Sequence, residues 1–363
     1  MADSSARFDL LAAAARKRTG ARKKRGREPW WVNCSDRELL DLRLCDLGLK
    51  IQDTPIQERL ERLYEELADK GIRLRPHVWF SHEWFSPDGI PGFGVPFYLA
   101  HDRLKRLEEK MMLEVEGGTA SECMKLMRHE TGHCVCTAYR LHYSRRWRRT
   151  FGPMGTPYPK SYLPRAHSKR YVLHLDWWYA QAHPAEDFAE TFAVWLKPNS
   201  RWRKSYRGWP ALLKLRYVHD TMAKIQGKPA LVRSKRHIEP LKSLRYTLRE
   251  YYEAKKETYG SQSPDVYTRD LRRLFSEEPR HARRMSAAVF LRRHRRRIRE
   301  QVSRWTGEYQ YTVDLVLRDM IERCKSQKLR LRESEKRTLS DATTLVTVQT
   351  MNFLHRVPHR ILV

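Results

Sequence analysis

No run of about 18 consecutive apolar residues occurs in the chain, so no transmembrane helix is expected. Nothing reads as a secretory leader. The apolar segment Leu10–Ala15 is too short, and Arg16-Lys17-Arg18 follows it instead of preceding it. There is no Cys-x-x-Cys, and the six cysteines (34, 45, 123, 134, 136 and 324) fall at spacings that make no disulfide framework. Free thiols in a reducing cytoplasm are the expectation. No segment repeats another. Acid is also scarce: 43 Asp and Glu stand against 72 Lys and Arg, a net charge of +29. Residues 1–30 carry +6, residues 31–230 carry +8, and residues 231–363 carry +15. Such an excess favours weak contact with polyanions such as nucleic acid.

Against this background Met127-Arg128-His129-Glu130-Thr131-Gly132-His133 stands out. It contains His-Glu-x-x-His, the zinc-site pattern of metallopeptidase helices. His129 and His133 are four apart, so on a helix they share one face and can reach one Zn²⁺. Glu130 sits beside them, where a carboxylate could take a proton from water. Thr119-x-x-Glu122 is a capping box that opens the helix, and Met124, Met127, Thr131, Val135 and Ala138 form its packing stripe. His82-Glu83 is not a second such motif, because position 86 is Ser.

The rest of the chain is read around that helix. Residues 1–30 read as a basic flexible arm. Pro55 opens a helix that Gly71 stops. Two short strands follow, over 75–85 and 94–99, and Pro96 argues that the second lies at a sheet edge. A peptide substrate could add to such an edge as a further strand. Residues 143–177, with four prolines at 153, 157, 159 and 164, read as one long irregular segment. His183-Pro184-Ala185-Glu186-Asp187-Phe188-Ala189-Glu190 opens another helix, with Pro184 at its first position. Phe188, Phe192 and Trp195 give that helix a packing face, while Glu186 and Glu190 align on another. From 231 onward the pattern is helical and basic. Arg292, Arg293, Arg295, Arg296, Arg297 and Arg299 are the strongest polyanion candidates.

Catalytic zinc commonly has three protein ligands and an open position. The metzincin pattern does not apply, since Cys136 and Tyr139 stand where it needs Gly and His. A carboxylate ligand remains, and Glu186 lies 53 residues beyond His133. This resembles the gluzincin arrangement, in which a Glu on a later helix completes the site. The Glu186/Glu190 spacing is similar to that of lethal-factor-type metalloproteases. That resemblance implies Glu186 as ligand, Glu190 as support for a ligand histidine, and Tyr179 as a tyrosine that faces the reaction. His174 and His183 are competing ligands, and Cys134 and Cys136 weaker ones. A wider resemblance runs through Arg75-Pro76-His77-Val78-Trp79, Phe85-Ser86-Pro87-Asp88-Gly89, the His-Glu-Thr-Gly-His motif, Tyr171-Val172-Leu173-His174-Leu175-Asp176 and His183 to Phe192. In these the chain resembles a bacterial family of zinc-binding metallo-peptidases.

The resulting expectation is an α+β chain. A zincin-like core over 31–230, with a small sheet and active-site helices, precedes a basic helical region over 231–363. The expected activity is peptide hydrolysis, with Glu130 as general base. The alternatives are a polyanion-binding protein with a structural or vestigial zinc site, and a zinc hydrolase of a non-peptide amide. A retained Glu130 argues for the hydrolases, because a structural zinc site needs no base.

Overall fold

The computed structural model describes residues 28–159, 162, 165, 168–259 and 268–356. The chain divides into two units, Met1–Ser35 and Asp36–Val363. Of the expected basic arm, residues 1–27 lie outside the described residues. The described part of the first unit holds a 3-10 turn, Trp30–Asn33, with Trp31 buried.

The second unit is mostly helical with a small sheet, a mixed architecture compatible with α+β. Helix α1 (Pro55–Asp69) begins with Pro55 in its first turn and ends before Gly71, whose φ of +69° suits glycine. Ile56, Leu60, Leu63 and Leu67 form its buried stripe. On the same helix, buried Glu66 accepts two 2.7 Å bonds from the guanidinium of Arg128. Strands β1 (His77–Ser81) and β2 (Gly92–Pro96) pair in parallel, from His77↔Gly92 to Ser81↔Pro96. Helix α2 (Asp102–Met112) and helix α3 (Ala120–Ala138) follow. The capping box of α3 is formed in both directions: Thr119 Oγ1 accepts from Glu122 N, and Glu122 Oε2 accepts from Thr119 N.

Several expectations need correction. The second strand stops at Pro96, and residues 97–100 wind into a 3-10 turn. β2 is an edge of this two-stranded sheet, as its proline argued, but that edge is not wholly open. On the side away from β1, Phe85 bridges to Gly94, whose N–H donates to the Phe85 carbonyl at 2.9 Å. Pro96 ends the strand, where its missing N–H breaks no interior ladder. The segment 143–177 is not irregular throughout either. Helix α4 (Arg145–Phe151) lies near its start, capped by Ser144 Oγ, which accepts from Trp147 N. The four arginines of that stretch hide an apolar pair, Trp147 and Phe151, both buried beside Phe188. Between 152 and 175 the described residues form no helix or strand.

Helix α5 (Pro184–Leu196) and helix α6 (Ala211–Ile225) complete this part of the core. Residues 231–259, which charge assigns to the C-terminal region, are woven into it. The N–H groups of Leu231 and Val232 both donate to the Ala138 carbonyl at the end of α3. Alternate side chains of β1 hold the next stretch: His77, Trp79 and Ser81 donate to the carbonyls of Arg236, Ile238 and Glu239. Helix α7 (Leu248–Tyr259) is tied back by Tyr251 to the His82 carbonyl and by Lys255 to Glu108. The surface charge changes near 230, but the packing does not.

A separate apolar cluster begins at Leu271. It is built by α8 (Thr268–Leu274), α9 (Ala287–Thr306), α10 (Gln310–Ser326) and α11 (Glu335–Arg356), with a short antiparallel pair, β3 (Phe275–Ser276) and β4 (Arg330–Leu331). Ala287, Ala288, Phe290, Leu291, Ile298 and Val302 of α9 form its inner stripe, and the arginines lie off that stripe. Among the described residues no helix is long and apolar enough to cross a membrane.

Candidate metal centre

Two helices build the site. Helix α3 carries His129 and His133, and α5 carries Glu186 and Glu190. Phe188 and Phe192 are fully buried and hold α5 in the core. The two helices meet at Gly132. A Cβ there would stand 2.7 Å from Cα and 3.0 Å from the carbonyl oxygen of Ala189. Only glycine permits that approach, and the approach brings imidazoles and carboxylates together.

Oε2 of Glu186 lies 3.0 Å from Nε2 of His129 and 3.2 Å from Nε2 of His133. The two Nε2 atoms are themselves 3.2 Å apart. These three residues form a group that could hold a metal ion. Glu190 stands behind them. Its Oε1 meets Nδ1 of His129 at 2.7 Å, and its Oε2 accepts from the N–H of Leu175 at 2.8 Å. At 0% exposure, with both oxygens engaged, Glu190 faces an imidazole and a backbone amide instead of the point where the other three converge. The two carboxylates that the sequence leaves exchangeable thus occupy distinct places.

The charges are mutually dependent. Burial alone would lower the pKa of His129, but its bonds to Glu186 and Glu190 hold it well above the ordinary value. Burial likewise opposes ionisation of Glu186, yet the positive field and hydrogen bonds of His133 and His129 keep that carboxyl well below the usual range. Both effects describe a carboxylate facing imidazoles at close range.

Glu130 is buried beside this group, and the hydroxyl of Ser86 lies 2.7 Å from its Oε2 as donor. Tyr179 comes from a 3-10 turn, Asp176–Gln181, with its ring 5.6 Å from that of His129. The preceding residue, Trp178, has a φ of +52°, a left-handed conformation of the kind that costs about 1–3 kcal/mol and clusters at functional sites. Burial, then the charges of Glu186 and Glu130, keep the Tyr179 hydroxyl protonated well above its ordinary range. Among the described residues that hydroxyl makes no hydrogen bond.

The competing ligands point elsewhere. His174 donates through Nε2 to the Lys125 carbonyl at 2.9 Å. His183 caps α5, accepting from Ala185 N through Nδ1 and donating through Nε2 to the Thr156 carbonyl. Burial pushes the Cys134 thiol up strongly and that of Cys136 to about 12, which suits core packing better than ligation. Two site residues escaped the sequence reading. One is Ser86, on Glu130. The other is Tyr158, whose hydroxyl donates to Oε1 of Glu186 at 2.9 Å.

The arginine run of α9 lies far along the chain, in the C-terminal cluster, and its charges are largely paired. Arg292 faces Glu322, Arg293 faces Glu335, Arg296 faces Glu300, and both Arg295 and Arg299 face Asp314. Arg297 is exposed and makes no ion pair among the described residues. Comparison of the chain with known protein families, with curated proteins and with solved structures yields no match.

Proposed function

We propose that this chain is a zinc-dependent peptidase with a zincin-like core, in which His129, His133 and Glu186 hold the metal. The observation that carries the reading is the convergence of three donors beside a buried carboxylate. Ligand atoms about 2.0–2.2 Å from a tetrahedral zinc stand about 3.3 Å apart. The three donor pairs here are 3.0, 3.2 and 3.2 Å apart. Two imidazoles and one carboxylate suit zinc as a borderline ion, whereas magnesium and calcium favour oxygen alone.

Bound there, zinc supplies a Lewis acid that polarises the scissile carbonyl and brings the pKa of water toward about 7. The protein residues do the rest. Glu130 takes one proton from the attacking water as its oxygen bonds to the carbonyl carbon. It returns that proton to the nitrogen as the C–N bond breaks, so the proton balance closes. Ser86 keeps the Glu130 carboxylate aimed through a 2.7 Å bond. Glu190 fixes the orientation of the His129 ring from the far side, as carboxylates behind ligand imidazoles do. Tyr179, with an uncommitted hydroxyl held in its protonated form, is suited to donate to the oxyanion that develops on the carbonyl.

Metal analysis of the purified chain, followed by cleavage of a peptide library with and without a chelator, tests the reading. The expected result is close to one zinc per chain and cleavage that the chelator abolishes and added zinc restores. Zinc well below half an equivalent after metal-replete purification, or cleavage indifferent to the chelator, would overturn it.

A further inference from the structure

Glu186 has two oxygens, and only Oε2 lies against the two histidines. Its other oxygen, Oε1, accepts the Tyr158 hydroxyl at 2.9 Å. Tyr158 belongs to no helix or strand, so something else must place it. That something is His183. The Tyr158 ring stacks on the His183 imidazole, with centroids 3.8 Å apart and planes 19° from parallel. Both nitrogens of that imidazole are engaged. Nδ1 accepts from Ala185 N at 3.1 Å, at the first turn of α5, and Nε2 donates to the carbonyl of Thr156 at 2.7 Å, two residues before Tyr158. One buried ring therefore joins the irregular segment to the helix that carries Glu186. The join is also directional, because the tyrosine arrives with its O–H on the oxygen that the histidines do not use.

We propose that Tyr158 is a positioning residue that makes Glu186 a one-oxygen ligand, with His183 as its mount. The proposal rests on the reading of Glu186 as a zinc ligand. A carboxylate with both oxygens open can bind a metal through either or both. An O–H donated to Oε1 engages that oxygen and turns Oε2 toward the imidazoles. A zinc held through that single oxygen and the two imidazoles would keep a position open for water and substrate, as a catalytic zinc requires. Tyr158 itself remains 49% exposed, so the residue that sets the ligand geometry also borders the solvent side of the site.

The test is Tyr158→Phe in the full chain, which keeps the ring on His183 and removes only the hydroxyl. Zinc affinity is measured by competition with a chelator, and ligand geometry by the visible absorption of the cobalt(II)-substituted protein. The expected result is a loss of about 10–100-fold in zinc affinity, the range for removing a hydrogen bond behind a metal ligand. The cobalt absorption should also weaken, as the freed Oε1 raises the coordination number. Urea unfolding of the metal-free variant should match the wild type, because a purely structural role would shift it. Wild-type affinity together with a wild-type cobalt spectrum would overturn the proposal and leave the zinc reading standing. Wild-type protein that takes up no zinc would overturn both.

Discussion

Gly132→Ala is the sharpest perturbation of the site that leaves every ligand in place. The added Cβ would sit 2.7 Å from Cα of Ala189, 3.0 Å from its carbonyl oxygen and 3.2 Å from its Cβ. None of these atoms can rotate away. Ordinary contact begins near 3.4 Å, so the helices α3 and α5 must part by 0.7 Å, the difference of 3.4 and 2.7. Overpacking of this kind costs about 1–3 kcal/mol. Alanine in a helix interior returns about 1 kcal/mol relative to glycine. The net loss of stability is therefore small, up to about 2 kcal/mol. The larger effect should fall on the site. Gly132 is one residue from His133, and Ala189 is one residue from Glu190. A functional constellation must be held within about 0.5 Å, and the required separation exceeds that. Zinc affinity should drop at least about tenfold, which corresponds to about 1.4 kcal/mol. Urea unfolding of the metal-free chain and chelator competition on the loaded chain read the two effects separately. Unchanged zinc affinity would show that the helix crossing does not set the donor spacing.

Three further outcomes are expected. Glu130→Gln should bind zinc as tightly as the wild type yet cleave no confirmed peptide substrate, because an amide cannot accept the proton; comparable turnover would remove Glu130 as base. Glu186→Ala should purify nearly free of zinc, whereas Glu190→Ala should retain it with about 10–100-fold weaker affinity, and side-by-side chelator titration decides between them. Burial lifts the Glu114 carboxyl from 4.5 to about 7, opposed by the Gln310 N–H. Between those values the folded chain keeps a proton that the unfolded chain has lost, so stability falls as pH rises through that window; Glu114→Gln should flatten the slope in urea titrations from pH 4.5 to 7.

What could be read in the sequence, and what could not, divides along one physical line. Helical periodicity turns spacing into direction, so His129 with His133, and Glu186 with Glu190, announce shared faces before any fold is known. Caps work the same way over three or four residues, as Thr119 with Glu122 does, and Pro184 marks the start of its helix by its fixed φ. The groups that hold these residues have no such signal. Ser86 reaches Glu130 from 44 residues away, and Tyr158 reaches Glu186 from 28 residues away, both from segments without regular structure. A lone hydroxyl in a loop has no period, and its partner is chosen by the path of the chain. The same blindness placed a boundary near 230, because charge is a property of the surface. The ties from Leu231, Val232 and Lys255 into the core are made by amide groups and one half-buried ammonium. Charge alone also offered the arginines of α9 as polyanion candidates without showing that carboxylates from α10 and α11 lie against several of them. Spacing within a helix thus reveals which side chains can converge. Only the fold reveals which hydroxyls and carboxylates answer them, and here those answers decide whether Glu186 offers one oxygen or two.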